Sequence, residues 1–357
     1  MLPHLPRRIG ASAAAAALLL AAPAALAQPA EECGLVLTPE EAQIALRLQA
    51  SGAYTLPAGG AGLRSMCEIP LAIHVVRRSN GTGGLQPQWI AQCIADANAV
   101  YAPIGVSFFQ VGPTDYINSD ALYNIADLNE TNQLRGMNVV PGAINVYFVE
   151  DAYYCGISSF TFSSVQGIVM NNNCTPRENN HSTFPHELGH YFDLFHTHET
   201  AYGRECPSGW NCATTGDLIC DTPADPGLSG VVNAACVYTG STQFACGEDI
   251  SYHPPTRNYM SYSRKECRVE MTQQQYDRAL ATLLNLRAEF TCPTACPADW
   301  DGDGGVNSSD ISAYLTAWLG SINDGTLVAD VNGDNVVNSI DVSAFLAMWI
   351  AAVQDGC

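Results

Sequence analysis

Three histidines in one short stretch constrain this chain more than any other feature. The residues from His186 to His196 read H-E-L-G-H-Y-F-D-L-F-H. On a helix, positions i and i+4 share a face about one turn apart, so His186 and His190 can bind one metal ion through their imidazole nitrogens. A straight helix would carry His196 away from that ion. The chain must therefore turn between His190 and His196 if all three histidines bind.

Glu187, beside the first histidine, indicates the chemistry of this metal. A catalytic zinc ion keeps three protein ligands and one position open for water, and a Glu next to the first ligand is the usual general base for that water. We predict one catalytic zinc held by His186, His190 and His196, with Glu187 as the base. The alternative is a surface helix that is rich in histidine, and the spacing of the third histidine favours zinc.

Two downstream motifs occur in a consistent order with the histidines. Residues 258–262 read N-Y-M-S-Y and are followed by Cys267 and by M-T-Q-Q at 271–274, while residues 216–223 read G-D-L-I-C-D-T-P. Alone, N-Y-M-S-Y could be a core methionine between ordinary tyrosines. Together with the histidine motif, these stretches resemble the pappalysin family of metzincins over about residues 67 to 290.

The resemblance implies a zinc endopeptidase that hydrolyses peptide bonds in proteins, often before a basic residue. It implies that Met260 forms an apolar floor beneath the zinc and that Tyr262 steadies the tetrahedral intermediate. The residues of the specificity pocket cannot be identified from the sequence. We also consider a calcium site in this domain, formed by Asp217, Asp221 and Thr222.

Asp193 is the main departure from the family pattern. Metzincins make the turn after the second histidine with a glycine, and Asp193 occupies that position. Asp is one of the few residues that tolerate left-handed backbone, so we predict a left-handed turn at Asp193 that glycine would also accept. The alternative to an enzyme is a non-catalytic secreted adhesion or scaffold protein, in which the metzincin fold survives but Asp193 has spoiled the site.

The pattern of hydrophobic residues predicts an α/β (α+β) catalytic domain over residues 67–291. The resemblance to metzincins implies that an extended substrate pairs with an edge strand of this domain. The zinc-binding helix begins near Ser182 or Thr183. The other predicted elements are strands at Ile69–Val76, Val106–Val111 and Ala143–Val149, a helix at Pro87–Tyr101, and an edge strand at Gly167–Met170 before the zinc helix.

Residues 1–27 have the pattern of a secretory signal peptide. Arg7 and Arg8 precede an apolar run over residues 11–22, which ends near the small-residue cleavage pattern A-L-A at 25–27. The alternative is a membrane anchor, but the run is shorter than the ~20 residues that span a bilayer. We predict a secreted protein without a transmembrane segment after signal removal, in which residues 28–66 are a candidate pro-segment with a helix at Pro39–Gln49.

The chain has 14 cysteines, which in a secreted protein favours a disulfide framework, and the even count allows all to be paired. Six of them lie in or beside the insertion between the zinc helix and residues 258–262: Cys206, Cys212, Cys220, Cys236, Cys246 and Cys267. Cys33-Gly34 resembles the Cys-Gly of metzincin pro-segments, in which a thiolate occupies the open zinc position. The alternative, favoured by the even count, is a plain disulfide at Cys33.

The C-terminal region contains two acidic loops that repeat 31 residues apart. Each has oxygen-bearing side chains at loop positions 1, 3, 5, 9 and 12, the pattern that surrounds calcium, with Gly304 or Asn335 at the bend. The predicted ligands are Asp299, Asp301, Asp303, Asn307 and Asp310 in the first loop, and Asp330, Asn332, Asp334, Asn338 and Asp341 in the second. We therefore predict about two calcium ions, whereas the alternative is a solvated acidic tail.

Helices at Ile311–Leu319 and Val342–Ile350 follow the two loops, and the whole unit resembles a type I dockerin. The resemblance implies a small all-α domain over residues 292–357 that binds a cohesin-like or cell-surface partner, although such a tail could also only stabilise the enzyme. We expect Cys296 and Cys357, which bracket the unit, to form a disulfide. The net charge of -20 argues against nucleic acid as a partner, because phosphates would be repelled.

Overall fold

The computed structural model describes residues 1, 31–56, 66–240, 246–247, 250–290, 292, 296–302 and 305–355. Most of the predicted signal peptide, the Gly/Ala-rich connector at 57–62, and Asp303, Gly304 and Cys357 lie outside the described residues. Within the part of the chain that the structure describes, no helix is long and apolar enough to cross a membrane.

The described chain folds into nine strands and seven α-helices, joined by loops and short 3-10 turns. The strands are β1 (Glu31–Cys33), β2 (Cys67–Arg77), β3 (Val106–Gln110), β4 (Asp115–Asn118), β5 (Asn124–Ile125), β6 (Ile144–Val149), β7 (Asp151–Ala152), β8 (Tyr154–Ile157) and β9 (Ile168–Asn171). The helices are α1 (Pro39–Ala50), α2 (Pro87–Tyr101), α3 (Leu128–Arg135), α4 (Thr183–Tyr191), α5 (Gln273–Leu286), α6 (Ser308–Asp324) and α7 (Ser339–Asp355).

One mixed sheet forms the frame of the catalytic domain. Its strand order is β1-β8-β9-β6-β2-β3, and β4 also pairs with β2. Strands β9, β6, β2 and β3 are parallel to one another, whereas β8 is antiparallel to β9. All six residues of β6 are buried because both faces of the sheet are covered, as is usual for parallel strands. The apolar core on one face includes side chains of α2, α4 and α5.

The predicted strands at 69–76, 106–111 and 143–149 and the helix at 87–101 are confirmed by β2, β3, β6 and α2. The prediction that Gly167–Met170 is the edge strand is wrong. This segment forms β9, which lies between β8 and β6. The edge of the catalytic sheet is β8, and β1 pairs with it in parallel. Strand order depends on long-range pairing, and the short Y-C-G-I of β8 carries no alternating pattern that would reveal a strand.

Five disulfides join described cysteines, and all six cysteines of the insertion pair with one another. The pairs are Cys67–Cys292, Cys155–Cys174, Cys206–Cys246, Cys212–Cys220 and Cys236–Cys267. The expectation that every cysteine is paired is wrong, because Cys33 and Cys93 are buried free thiols. Cys296 is disulfide-bonded. Its predicted partner Cys357 lies outside the described residues, so the Cys296–Cys357 bond stays a prediction.

The C-terminal unit has a small core of its own. The rings of Tyr314 and Phe345, which occupy equivalent positions in the two repeats, stack with centroids 4.1 Å apart, and Trp300 packs edge-on against Tyr314 at 4.8 Å. Helices α6 and α7 extend beyond the predicted ranges at both ends. Asn307 caps α6 through a capping box with Asp310, so this helix begins at Ser308.

Candidate active site

Helix α4 and the turn that ends it bring the three predicted histidines together. Asp193 has φ of 56°, the left-handed conformation expected at this position. The amide of Leu194 bonds to the carbonyl of Gly189 at 2.9 Å, which closes the helix end and reverses the chain. As a result, Nε2 of His190 lies 3.1 Å from Nε2 of His186 and 3.0 Å from Nε2 of His196.

The chemistry of this donor set fits a zinc ion. Nδ1 of His186 lies 2.7 Å from the Tyr259 carbonyl, and Nδ1 of His190 lies 2.7 Å from the Leu194 carbonyl. A carbonyl can only accept, so each Nδ1 carries the proton and each Nε2 presents a lone pair. Burial lowers the pKa of His190 to about 4 and that of His186 and His196 well below the usual range. Converging lone pairs of neutral imidazoles repel one another unless they share a cation.

The predicted N-Y-M-S-Y turn lies directly under the zinc helix. Met260 is 0% exposed, and a Cβ at Gly189 would lie 2.5 Å from its sulfur, so only glycine permits this close packing. The Thr197 amide donates to the Met260 carbonyl at 3.1 Å, which ties the segment after His196 to the turn. The turn therefore supports the histidines from below and orients His186 through the Tyr259 carbonyl.

Glu187, which is in helix α4, faces the edge of the sheet. It is 0% exposed, and any side chain larger than that of glycine at Gly156 in β8 would clash with its carboxylate. Among the described residues, Oε1 of Glu187 has no hydrogen-bond partner. Burial raises the pKa of Glu187 to about 8, so the carboxyl can hold or release a proton near neutral pH.

Cys33 occupies the position above the histidines. Its sulfur and the nitrogens of His186, His190 and His196 lie within 4.8 Å of one another, and Sγ lies 3.8 Å from Oε2 of Glu187. The expected plain disulfide at Cys33 is thus wrong, because the thiol is buried at the metal site. Burial and, to a smaller extent, the Glu187 charge raise the pKa of this thiol, so a thiolate there needs an adjacent cation.

Strand β1 holds Cys33 in place by pairing with the sheet edge. Cys33 is opposite Gly156, and the Gly34 amide donates to the Gly156 carbonyl at 2.9 Å. Tyr262 donates from its hydroxyl to the Cys33 carbonyl at 3.0 Å, and its ring lies 4.7 Å from that of His196. The N-terminal segment therefore engages both the metal site and the tyrosine that was predicted to steady the intermediate.

A cleft of about 770 Å³ continues from this site. The N-terminal segment lines it with Glu32, Cys33 and residues 35–37, and His196, His198 and Tyr262 are among the other residues that line it. The ring of His198 stacks on His196 at 5.0 Å and lies 4.3 Å from Tyr262. Sequence reasoning missed His198, because it follows the motif and belongs to no ligand pattern. It extends the aromatic wall of the cleft beyond the metal site.

The carboxylate of Asp193 has a second role that the sequence did not indicate. It is buried and accepts hydrogen bonds from the Thr161 amide at 2.8 Å, the Thr161 hydroxyl at 2.5 Å and the Tyr54 hydroxyl at 3.2 Å. Asp193 therefore fastens the loop before β9 and the N-terminal segment to the turn that presents His196. A glycine would keep the turn but lose these bonds.

Asp193→Gly should consequently destabilise the protein by about 1–3 kcal/mol, because the donors of Thr161 lose their acceptor in a buried place. Asp193→Val should in addition weaken zinc affinity, since a β-branched residue opposes the left-handed turn. Thermal unfolding and zinc titration measure the two effects. Asn179→Gly is the matched control, because Asn179 is left-handed at φ 58° but exposed. Unchanged stability of Asp193→Gly, or parental zinc affinity of Asp193→Val, would contradict these roles.

The residues predicted for a calcium site in the catalytic domain lie in two different environments. Asp217 is buried, and its carboxylate accepts from the Thr222 hydroxyl at 2.9 Å, whereas Asp221 is exposed and accepts from the Gln274 amide at the start of α5. Glu205, which no motif indicated, is 4% exposed, and its Oε2 has no partner among the described residues. Burial, with Asp225 as a smaller cause, raises the pKa of Glu205 to about 7.

In each of the two C-terminal loops, the structure shows part of the predicted arrangement. In the first loop, carboxylate oxygens of Asp299, Asp301 and Asp310 lie within 4.8 Å of one another. In the second loop, Asp341 accepts from the Val331 amide at 3.0 Å, and Asn335 takes the left-handed conformation expected at the bend, with φ of 63°. Asp303 lies outside the described residues.

Comparison with known proteins agrees with this geometry. Residues 154–284, which include α4, the cysteine-rich insertion and the N-Y-M-S-Y turn, match the peptidase family model described as pregnancy-associated plasma protein-A. This stretch is similar to the pappalysin family. The protein is a metalloendopeptidase. Residues 297–345 match the model of the dockerin type I domain.

Extracellular metalloproteases of fungi are similar to most of the chain. An extracellular metalloprotease of Colletotrichum graminicola is 29% identical, covering 76% of this chain and 96% of its own length. Extracellular metalloprotease 1 of Coccidioides posadasii is 28% identical, covering 72% of this chain and 90% of its own. A promirolysin mutant of Tannerella forsythia has a similar fold, with a TM-score of 0.52 and 16% identity over 73% of this chain and 97% of its own.

Proposed function

We propose that this protein is a secreted zinc endopeptidase that uses Glu187 as its general base and is latent in the form described. The observation that carries the proposal is the convergence of three neutral histidine nitrogens beside a buried carboxylate at the edge of a sheet. Hydrolysis of casein by the activated protein, with and without a zinc chelator, tests it. The alternative scaffold function predicts no zinc-dependent hydrolysis.

The roles of the side chains follow from their positions. His186, His190 and His196 would hold the zinc ion, which would supply a Lewis acid for the scissile carbonyl and would make water more acidic. Glu187 takes the proton of the attacking water and returns it to the leaving nitrogen, a task suited by its raised pKa. Tyr262 donates its hydroxyl to the oxyanion once it no longer donates to the Cys33 carbonyl. Met260 keeps the floor of the site apolar.

Strand β8 positions the substrate. Its outer edge already pairs with β1, so the same row of backbone groups can pair with an extended peptide after β1 leaves. A peptide on this edge lies over Glu187, since Gly156 leaves no side chain between the strand and that carboxylate. Occupation of the edge by β1 therefore excludes substrate, and this supports residues 28–66 as a pro-segment with Cys33 as a fourth zinc ligand.

The far end of the N-terminal segment is held separately. Nδ2 of Asn285 in α5 donates to the carbonyls of Ala53 and Thr55, both at 3.0 Å, and the guanidinium of Arg278 lies 4.0 Å from the centre of the Tyr54 ring. These contacts, with the bond from Tyr54 to Asp193, anchor the segment on the other side of the zinc helix. Activation requires release of both attachments.

The remaining predictions on ions, partners and location are kept as proposals. The dockerin-like unit binds about two calcium ions and attaches the enzyme to a cohesin-like or cell-surface partner. Asp217, Thr222 and the unpartnered Glu205 support a further calcium site in the catalytic domain. Residues 1–27 direct secretion, in agreement with relatives that are named extracellular. The substrate is a protein or peptide.

Calcium removal should unfold the C-terminal unit, because its clustered carboxylates then repel one another and its small core cannot offset the chain entropy. We expect calorimetry of the zinc-loaded full chain to show one transition that disappears with a calcium-selective chelator. Calcium titration should give a stoichiometry near two for this unit. Asp310→Ala and Asp341→Ala should each remove one ion, while Asp324→Asn, outside both loops, should remove none. A transition indifferent to the chelator would contradict the calcium sites.

A further inference from the structure

A buried guanidinium beside the active site has its ionic partner on the N-terminal segment. Arg268 is 3% exposed, and Nη2 donates to Oε2 of Glu32 at 2.8 Å. Its Nε donates to the Ser263 carbonyl at 2.8 Å, which fixes the direction of the side chain. Within the described ranges, no carboxylate other than Glu32 lies within 4.0 Å of Arg268. Glu32 immediately precedes Cys33, the residue that faces the metal site.

A second cation lies near the same carboxylate. Lys265 is half-buried, and its Nζ lies 2.8 Å from Sγ of Cys155 in the edge strand β8. Burial lowers the pKa of Lys265, and the charge of Glu32 opposes that shift. Lys265 is the only lysine in a chain of net charge -20, so a local excess of positive charge here is unusual for this protein. The neighbouring Arg264 is exposed and bonds to Glu266, and so does not share this role.

Release of the N-terminal segment removes Glu32 and leaves the Ser263 carbonyl, a neutral group, as a remaining partner of Arg268. A buried charge that loses its counter-charge is strongly destabilising, so a carboxylate that arrives in the same place binds favourably. Substrate uses the edge of β8 that β1 occupies, and Glu32 is the residue directly before Cys33, which faces the metal site. A substrate side chain close to the scissile bond therefore comes within reach of Arg268.

We propose that Arg268, assisted by Lys265, forms a subsite for an acidic side chain, so that the activated enzyme prefers protein substrates with Glu or Asp beside the scissile bond. This inference rests on the proposed function, since it takes the path of the N-terminal segment as the path of the substrate. It departs from the basic preference implied by the family resemblance. Arg268 would act as a specificity-determining residue and take no part in proton transfer.

The test compares matched peptides with Glu, Gln or Lys at each of the two residues on either side of the cleaved bond. For the activated enzyme we expect kcat/KM to be roughly tenfold or more higher for Glu than for Gln at one position, the scale of a charge-assisted hydrogen bond in a partly buried site. Arg268→Gln should abolish this preference, Arg268→Lys should retain part of it, and Arg264→Gln should leave it unchanged. Equal rates for Glu and Gln, or a preference for Lys, would overturn the proposal.

A binding measurement separates this subsite from the catalytic proposal. The activated Glu187→Gln protein should bind the Glu peptide roughly tenfold more tightly than the Gln peptide by fluorescence anisotropy, whether or not the parent hydrolyses casein. If Arg268→Gln fails to fold, the parent and Lys265→Gln are compared instead, each with the Glu and Gln peptides. The subsite then predicts a smaller preference for the Glu peptide in Lys265→Gln than in the parent. Equal binding of the two peptides would refute the subsite, whereas absent hydrolysis with selective binding would refute only the enzymatic function.

Discussion

Glu187→Ala should lower kcat/KM for protein hydrolysis by on the order of two to four decades, the range for a positioned acid-base group, while zinc stays bound. Glu187 holds no metal in this arrangement, and its removal leaves the three histidine nitrogens and their carbonyl partners in place. The measurement is casein hydrolysis by the activated variant, together with zinc content by elemental analysis.

Two control variants separate loss of the general base from loss of the metal and from nonspecific effects of removing a carboxylate. His190→Ala should lose the metal as well as the activity, because Nε2 of His190 lies between those of His186 and His196. Glu178→Ala removes an exposed carboxylate of the preceding turn and should change neither quantity. A purified Glu187→Ala variant with parental activity would refute the role of Glu187 as general base.

Full-length Cys33→Ser should hydrolyse casein without removal of the N-terminal segment, whereas the parent should not. Loss of the sulfur ligand makes β1 easier to displace, and a rise of the open fraction from about 1% to most of the molecules raises activity by on the order of one to two decades. Hydrolysis by the uncleaved chain, verified by mass spectrometry, measures the effect. In the cobalt-substituted parent, a thiolate-to-metal absorption should be present, and it should be absent from Cys33→Ser.

Cys93 provides the matched control for this substitution, because it is the other buried free thiol of the described chain and belongs to the apolar core. Cys93→Ala should remain latent and should keep the thiolate absorption. If Cys33→Ser is as inactive as the parent and the cobalt spectrum of the parent lacks a thiolate band, Cys33 is not a zinc ligand. The contacts of Tyr54 and Asn285 would then be the main restraint on the segment.

Much of the candidate site could be predicted because its pattern is local. The helix of His186 and His190, the left-handed turn at Asp193 and the bends of the calcium loops each depend on residues within a dozen positions. Helical periodicity, turn chemistry and ligand spacing act over that distance. The prediction of a left-handed turn at Asp193, which returns His196 toward His186 and His190, was therefore correct. The family resemblance also placed Met260 beneath the helix of these two histidines.

The errors concern contacts between distant parts of the chain. Cys33 was expected in a disulfide because counting cysteines gives no information on where a thiol lies, yet it is 154 positions from its neighbour Glu187. Gly167–Met170 was expected at the sheet edge, and the pairing of β8 with β9 moves it inward. The calcium site of Asp217, Asp221 and Thr222 stays a prediction, in which Asp217 is buried and Asp221 is exposed.

The sequence by itself determined the helix of the histidine motif, the left-handed turn that follows it and the repeated acidic loops, because residue type and short spacing define them. Only the tertiary structure decided that β1 covers the edge strand, that Cys33 faces the histidines, and that Glu32 pairs with Arg268. Those contacts join residues more than a hundred positions apart, and they depend on strand order and burial. Side-chain pattern within a short segment cannot determine either property, because both arise from the packing of the whole chain.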